Sequence, residues 1–219
     1  MPIRIPVEDG APSVEFEDAV HLTFEALGEV PEFRGEKGRQ IELKGTLAMT
    51  VLAMASGKYS LRAIARWGKR REKNLIPLLG LCRAPSYSTV RRLLEGADGR
   101  ALRSALRATA AELLAGKRRL VSAVDAKTLR GTKRDDGRQT QVVTVVEHNT
   151  GIVMDAEAIP AHHSELTVGR RMLGELLDGN SHLLVGTGDA LYAERKLARK
   201  VVARGRDYVF KVKKTTRAS

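Results

Sequence analysis

The stretch LVSAVDAKTLRG, residues 120–131, predicts a buried strand that carries one carboxylate, Asp125, out of an apolar run and into a basic turn. A second apolar run, LLVGTGDA at residues 183–190, delivers Asp189 in the same way. We interpret the rest of the chain as a scaffold that brings these two aspartates together. A basic surface would bring a polyanion to them.

Composition limits the class of protein. The chain has 219 residues, of which 42% are hydrophobic and 29% charged, which is typical of one or two globular domains with a core. No run approaches the roughly 18 apolar residues of a membrane-spanning helix, so no membrane association is expected. The first residues lack the apolar core of a signal peptide. The single cysteine, Cys82, excludes an internal disulfide, fits a reducing cytoplasm, and is expected in the core.

Charge is distributed unevenly along the chain. Residues 1–36 hold nine acids and two bases, whereas the remaining residues hold 36 bases and 17 acids. A body this basic attracts polyanions, and neutralisation of nucleic-acid phosphates is the commonest use of such a field. Solubility alone is the simpler alternative.

The first half of the chain predicts helices. Residues 1–15 are rich in proline and acids and predict a flexible acidic arm. Apolar residues then recur at intervals of three and four, which is the pattern of helices that bury one face. The predicted helices span residues 16–27, 41–55, 61–69, 86–95 and 101–114, and together they define a helical domain over residues 16–116. Trp67 is expected in its core.

Two basic clusters in this domain are candidate DNA contacts. Lys69, Arg70 and Arg71 follow the third predicted helix, and Arg91 and Arg92 lie in the fourth. Two short helices with hydroxyls and arginines at the start of the second are similar to a helix-turn-helix reader. The simpler alternative is that the hydroxyls only cap the helix.

After residue 116 the apolar period changes to that of strands. Three strands, a helix, a strand, a helix and a last strand are predicted in that order. Residues 148–151 form the turn of a hairpin between the second and third strands. The predicted strands span residues 120–124, 139–147, 152–159, 182–187 and 207–212, and the predicted helices span residues 164–177 and 192–204.

This order of elements is that of the ribonuclease H-like fold, in which the first strand lies beside the fourth. Adjacent strands are about 4.8 Å apart, so Asp125 and Asp189 would face each other across a gap of metal-ion size. A divalent cation offsets the repulsion between two such carboxylates, and oxygen ligands favour Mg²⁺ or Mn²⁺.

Several segments resemble one family in the same order. These segments are VDAKTLRG at residues 124–131, TGDAL at 187–191, GKYSLRAIARWG at 57–68, LLGL at 78–81, PSYST at 85–89 and DYVFKVK at 207–213. Together they resemble the DDE transposases of the H-repeat-associated (ISAs-type) insertion sequences, over roughly residues 17–213.

The resemblance implies an α+β protein. An all-helical, DDE-associated N-terminal domain would be followed, over residues 117–219, by the N-terminal portion of a ribonuclease H-like catalytic domain: a partial mixed sheet with flanking helices. It implies Asp125 and Asp189 as catalytic residues and metal ligands, and Mg²⁺ or Mn²⁺ as cofactor. DNA, as transposon ends, would be the partner, with a homodimer as one form of the protein. Lys127 and Arg130 would hold phosphates near Asp125.

This sequence departs from the family pattern at several points. The usual Asp-Gly-Lys is Asp-Ala-Lys at residues 125–127, and of the usual Lys-Ser-Asn-Glu only Glu165 is retained. The family's third carboxylate lies on a helix beyond the last strand, and the chain ends at Ser219. We therefore expect a truncated copy.

Other side chains near the site leave alternatives open. Glu165 is expected either to cap its helix and support the site or to bind metal, and Glu194 to be a surface residue. His162 and His163 are adjacent, so they point to opposite faces and do not readily bind one ion.

The expected function is that of a DNA transposase with impaired catalysis. The alternatives are a non-catalytic DNA-binding regulator derived from a transposase and a different ribonuclease H-like nuclease that cuts without joining.

Overall fold

The computed structural model describes residues 16–117, 119–133, 137–180 and 182–212, and it divides the chain into two compact units. The helical unit ends at Leu113 and the sheet unit begins at Leu114. The predicted acidic arm lies outside the described residues, as do residues 134–136 of the predicted charged turn. None of the described helices combines the length and hydropathy that crossing a bilayer requires.

The helical unit is built around its second helix, which has few exposed positions. Leu47, Met49 and Ala53 of this helix are at most 2% exposed, so it forms the centre of the unit. The described α-helices of this unit are α1 (Phe16–Ala26), α2 (Leu43–Ala55), α3 (Leu61–Lys69), α4 (Tyr87–Gly96) and α5 (Gly99–Leu113).

Serine hydroxyls set the starts of α3 and α4. The hydroxyl of Ser60 accepts a hydrogen bond from the Ala63 amide at 3.2 Å, and that of Ser86 accepts one from the Thr89 amide at 3.3 Å. Each bond satisfies an amide that has no partner within its helix, which is why helices begin after such residues. Capping, which the sequence offered as the simpler role of the hydroxyls at the start of α4, is observed at Ser86.

The two predictions about single core residues have opposite outcomes. Trp67 is 7% exposed and packs in the core of the helical unit, as predicted. Cys82 is exposed, so its prediction as a core residue is wrong. The neighbouring Leu81 takes the buried position at 3% exposure, and the next side chain points outward.

The sheet unit contains a five-stranded mixed sheet in the order β3-β2-β1-β4-β5. β1 pairs antiparallel with β2 and parallel with β4, so the first strand lies beside the fourth as predicted. The strands are β1 (Leu120–Lys133), β2 (Gln139–Glu147), β3 (Val153–Ala158), β4 (Leu183–Gly188) and β5 (Asp207–Phe210), and the helices are α6 (Glu165–Gly179) and α7 (Arg195–Val202). The predicted α+β class, with a helical part followed by a mixed sheet and flanking helices, is confirmed.

Two elements of the sheet unit differ most from their predictions, and the others differ by no more than two residues at their ends. β1 continues through Asp125 to Lys133, because β2 pairs with it from Ser122 to Thr128 and extends the ladder beyond the apolar run. α7 begins at Arg195 rather than at Tyr192, because the intervening residues form tight turns: the Tyr192 amide donates to the Asp189 carbonyl and the Glu194 amide to the Tyr192 carbonyl.

Candidate functional site

Asp125 and Asp189 occupy neighbouring positions on two paired strands. Val124 of β1 is paired in parallel register with Gly188 of β4, and each aspartate is the next residue along its strand. Parallel strands lie about 4.8 Å apart, so the register brings the two carboxylates to the same edge of the ladder. Both side chains are exposed, and Asp125 retains 55% of its accessible surface.

A tight turn holds the second aspartate. The Asp189 carboxylate accepts a hydrogen bond from the Leu191 amide at 2.9 Å, and its carbonyl accepts one from the Tyr192 amide at 3.1 Å. This side-chain turn is a common local use of aspartate at a strand end. It orients the carboxylate and leaves oxygen lone pairs free for another ligand.

Lys127 pairs directly with the first aspartate. Its Nζ atom lies 2.5 Å from Oδ2 of Asp125, on the same side of β1 two residues further on. The hydrogen bond to Asp125 and then its charge raise the pKa of Lys127, with smaller contributions from Glu165 and Asp189. Lys127 therefore stays cationic at neutral pH beside three carboxylates. Arg130, the other basic residue predicted here, is exposed on the same strand.

Tyr192 packs beneath the Asp189 turn. Its ring is fully buried, and a Cβ at Gly169 of α6 would lie 2.6 Å from its Cε1 atom. A Cβ at Gly188 would lie 3.0 Å from its Cβ. Real side chains essentially never approach as closely as 2.6 Å, so the ring requires glycine at position 169, whereas a side chain at position 188 would require Tyr192 to shift by a few tenths of an ångström. Tyr192 thus packs between the end of β4 and α6, and this packing sets the position of Asp189.

The Tyr192 hydroxyl is buried and makes no hydrogen bond of ordinary geometry among the described residues. Burial and then the charge of the Glu165 carboxylate raise the pKa of Tyr192 above its ordinary value. The hydroxyl remains protonated and points toward the acidic side chains.

Glu165 is the third carboxylate of this region. It is the first residue of α6, and the preceding Ser164 caps that helix by accepting from the Thr167 amide at 3.2 Å. Burial raises the pKa of Glu165, and the charges of Asp189 and Asp125 raise it further, against opposing contributions from Tyr192 and Lys127. The three carboxylates therefore create a local excess of negative charge.

The other candidate ligands lie outside this arrangement. Glu194 pairs with Arg170 at 3.0 Å and is half-buried, so it is not the free surface residue that was expected. His162 and His163 are exposed. Among the described residues, no three His, Cys, Asp or Glu side chains are grouped so that they would hold a metal ion.

The donor set at the strand ends suits a hard divalent cation. Asp125 and Asp189 offer only oxygen ligands, and both are accessible. Mg²⁺ is commonly held by one or two carboxylates and completes its shell with water and phosphate oxygens. Two aspartates therefore match the number of protein ligands that Mg²⁺ commonly uses. The repulsion between the two carboxylates favours the binding of a cation.

The predicted DNA contacts of the helical unit are all exposed, but they differ in how far they are engaged. Lys69 pairs with Glu72 at 2.5 Å, and Arg91 pairs with Glu95 at 2.7 Å. Arg71 lies over the Trp67 ring, 4.2 Å from its centroid, and the guanidinium of Arg92 donates to the Ser88 carbonyl at 3.3 Å. No ion pair is seen for Arg70 within the described part of the chain.

Sequence patterns missed Tyr192 and its two glycines. Tyr192 was assigned to a helix, although its position three residues after Asp189 marks the turn that follows the strand. Gly188 was visible as the second glycine of the Gly-Thr-Gly run before Asp189. Nothing in the local pattern links Gly169 to Tyr192, because they meet only through packing.

Two family models match the chain. The model described as DDE_Tnp_1-associated matches residues 24–109, and the model described as Transposase DDE domain matches residues 116–218. Together they cover most of both units. The chain belongs to the DDE-type transposases. The second match includes both aspartates, so they lie within the transposase DDE domain.

A solved structure is also similar to this chain. It is described as the cryo-EM structure of a piggyBac transposase synaptic complex with hairpin DNA, with a TM-score of 0.47 and 12% sequence identity. The match covers 91% of this chain and 51% of that one, so the chain spans about half the length of that relative. No match was found among curated proteins.

Proposed function

We propose that this chain binds DNA and takes part in its metal-dependent cleavage and strand transfer during transposition, in the cytoplasm, as a member of the H-repeat-associated (ISAs-type) group. The observation that carries the proposal is the parallel pairing of Val124 with Gly188, which brings Asp125 and Asp189 to one edge of a mixed sheet. The element order and the position of the aspartates support a ribonuclease H-like catalytic domain.

Asp125 and Asp189 would hold Mg²⁺ or Mn²⁺ in this proposal. A bound ion would supply positive charge to the phosphoryl group that is attacked, first by water and then by a DNA 3′-hydroxyl. The chain's own side chains position DNA at this edge. Lys127 and Arg130 are exposed on β1 beside and beyond Asp125, where they would contact DNA phosphates near Asp125. The DNA would be transposon ends, bound by one chain or by a homodimer.

The arrangement of charges also supports weak catalysis by this chain. Lys127 already pairs with one oxygen of Asp125, so its ammonium group would compete with a metal ion for that oxygen. A non-catalytic DNA-binding regulator derived from a transposase is the second candidate, and the same Lys127–Asp125 pair favours it.

Metal binding and DNA cleavage separate these functions. Mn²⁺ binding is measured by electron paramagnetic resonance on the purified chain and on the Asp125→Asn and Asp189→Asn variants. Nicking of supercoiled plasmid is measured in parallel with Mg²⁺. Binding of Mn²⁺ that both substitutions abolish supports the metal site, and nicking lost with them supports catalysis.

Other outcomes discriminate further. DNA binding without Mn²⁺ binding or nicking identifies the regulator. Nicking that persists in both variants overturns the assignment of the aspartates. Joined DNA products in a strand-transfer assay distinguish a transposase from a nuclease that only cuts.

A further inference from the structure

The outer face of α3 carries a row of arginines. Ile64 and Trp67 bury the inner face of the helix, while Arg62 and Arg66 are exposed on the outer face, followed by Arg70 at the C-terminal cap. Residues four apart lie on one side of a helix and are separated by about 6 Å along its axis. The three guanidinium groups therefore form a line of positive charge.

Two cavities lie along this row and share Arg66. The first has a volume of about 870 Å³, and its basic lining residues are Arg62, Arg66, Lys69 and Arg83. The second has a volume of about 500 Å³ and is lined by Lys58, Arg66, Arg70 and Arg71. Arg66 lines both, so it stands at their common border, and the basic side chains of the two cavities together form one basic surface on α3.

Most of this positive charge is not neutralised. Glu72 is the one carboxylate among the lining residues, and it is already engaged by the Lys69 ammonium and by the Ala84 amide at 3.2 Å. Arg66, Arg70 and Arg83 show no acidic partner among the residues that the structure describes. Like charges gathered in a concave surface raise the local concentration of anions.

One guanidinium of the row is held in place before any ligand binds. Arg62 lies over the ring of Tyr87, 5.7 Å from its centroid, at the start of α4. A cation above an aromatic face is attracted by the ring and loses little further freedom on binding. This contact aims Arg62 into the first cavity, which also receives the hydroxyl end of α4 through Ser86.

The extent of this basic surface favours one class of ligand. A single phosphate or a free nucleotide would occupy one cavity and leave the positive charges of the other without a counterion. A strand with regularly spaced negative charges would fill both and pass over Arg66. A DNA strand carries one negative charge per phosphate, so it offers several phosphates to the arginines of the row.

We infer that Arg62, Arg66, Arg70 and Arg83 form the surface on which the helical unit holds the DNA backbone. The inference rests on the proposed function in one respect, that DNA is the ligand. It extends the predicted contacts at the end of α3 along the outer face of that helix. On α4, Glu95 and the Ser88 carbonyl already engage Arg91 and Arg92, so they contribute less binding free energy.

Three variants that each remove two charges test this surface. The first is Arg62→Gln with Arg66→Gln, the second is Arg91→Gln with Arg92→Gln, and the control is Lys37→Gln with Arg100→Gln. All six side chains are exposed, so all three variants are expected to keep the wild-type circular dichroism and melting temperature. Binding to a labelled duplex is followed by fluorescence anisotropy at several salt concentrations.

The α3 variant is expected to lose affinity by about tenfold or more. The slope of log affinity against log salt should fall by about 2, since each phosphate contact contributes about 0.9. The α4 variant and the control should each change affinity by less than about threefold. An Arg66→Lys variant retains the charge and should keep most of the affinity.

The possible failures are distinguishable. If the α4 variant or the control loses as much affinity as the α3 variant, the α3 surface is wrong while DNA binding stands. If the wild-type chain binds no duplex even at low salt, both the surface and the proposed function are overturned.

Discussion

The carboxylates of the sheet unit lie in two opposite settings. Glu147, at the end of β2, is 1% exposed, and its Oε2 atom accepts hydrogen bonds from the Asn149 amide at 3.1 Å, the Thr150 amide at 2.8 Å and the Thr150 hydroxyl at 2.7 Å. Asp125 and Asp189 are exposed and retain free acceptor capacity. A carboxylate whose bonds are all used within the fold stabilises a turn, whereas one left open is available to a ligand.

The pKa of Glu147 reflects its setting. Burial by itself raises the pKa of this carboxyl, but the hydrogen bonds from the Thr150 side chain and the Thr150 and Asn149 backbone outweigh burial and lower it below the ordinary 4.5. The opposite holds for Glu165, whose pKa is raised by burial and by its neighbours Asp189 and Asp125. Hydrogen-bond donors thus mark the structural carboxylate, and uncompensated negative charge marks the open site.

The largest expected effect is on metal binding by the exposed carboxylates Asp125 and Asp189, which we call the open site. Asp125→Asn should lower Mn²⁺ affinity about 100-fold or more, because even indirect partners of metal ligands are worth 10–100-fold. The free energy of unfolding should change by no more than about 0.5 kcal/mol, because the side chain is exposed. Titration calorimetry and urea unfolding measure the two quantities. Unchanged affinity would mean that exposure does not mark a ligand site here.

The reverse pattern is expected at Glu147. Glu147→Gln should lower the free energy of unfolding by about 1–3 kcal/mol, because three bonds to a charged acceptor are weakened inside the fold. Mn²⁺ affinity should not change. Urea unfolding at neutral pH tests the first expectation and calorimetry the second. A variant as stable as wild type would remove the contrast between the two settings.

Acid unfolding sharpens the same contrast. The pKa of Glu147 is lower in the folded than in the unfolded chain, so its stabilisation is present above about the ordinary value of 4.5 and is lost as pH falls through the folded-state pKa. The stability difference between wild type and Glu147→Gln should therefore shrink as the pH is lowered below 4.5. A difference that stays constant from neutral pH to acid would contradict the assignment of the shift.

The packing of Tyr192 beneath the open site is expected to affect both the free energy of unfolding and Mn²⁺ binding. Gly169→Ala should lower the free energy of unfolding by about 1–3 kcal/mol, because its Cβ would overlap the Tyr192 ring. It should also weaken Mn²⁺ binding, because Tyr192 supports the Asp189 turn. The matched control is Gly179→Ala in the same helix, where a Cβ meets no atom within 4 Å. Gly179→Ala should be neutral or slightly stabilising, because alanine has the higher helix propensity. An equal loss of stability in both variants would show that overlap with Tyr192 is not responsible.

The smallest effect is expected at Glu165. Because its pKa is raised in the folded chain, its contribution to stability is full below the unfolded-state pKa and is lost as pH rises through the folded-state pKa. Glu165→Gln should therefore stabilise the chain at neutral pH by up to about 0.5 kcal/mol, and the gain should vanish in acid. Thermal melting from pH 4 to 8, at about one-unit intervals, measures it. A loss of stability at neutral pH would contradict the excess of negative charge.

Local patterns predicted most of the elements but not all of their ends. The apolar period and the serine caps place α3 at residues 61–69, as observed, because both signals lie within one turn of the helix. The length of β1 was not predicted, because its second half is polar and is a strand only through pairing with β2. The role of Tyr192 was missed for the same reason. Gly169 is far from it in the sequence, and nothing in the local pattern shows that Gly188 packs against it.

By itself the sequence determined the α+β order, the basic character of the chain and the two aspartates that follow apolar runs. These features depend on side-chain periodicity and composition, which act over a few residues. The tertiary structure decided that β1 lies against β4 with Val124 opposite Gly188, and that Tyr192 supports the turn after Asp189. It also decided which arginines are already paired and which form the basic surface of α3. Pairing and burial depend on contacts between residues far apart in the chain, and local pattern does not specify them.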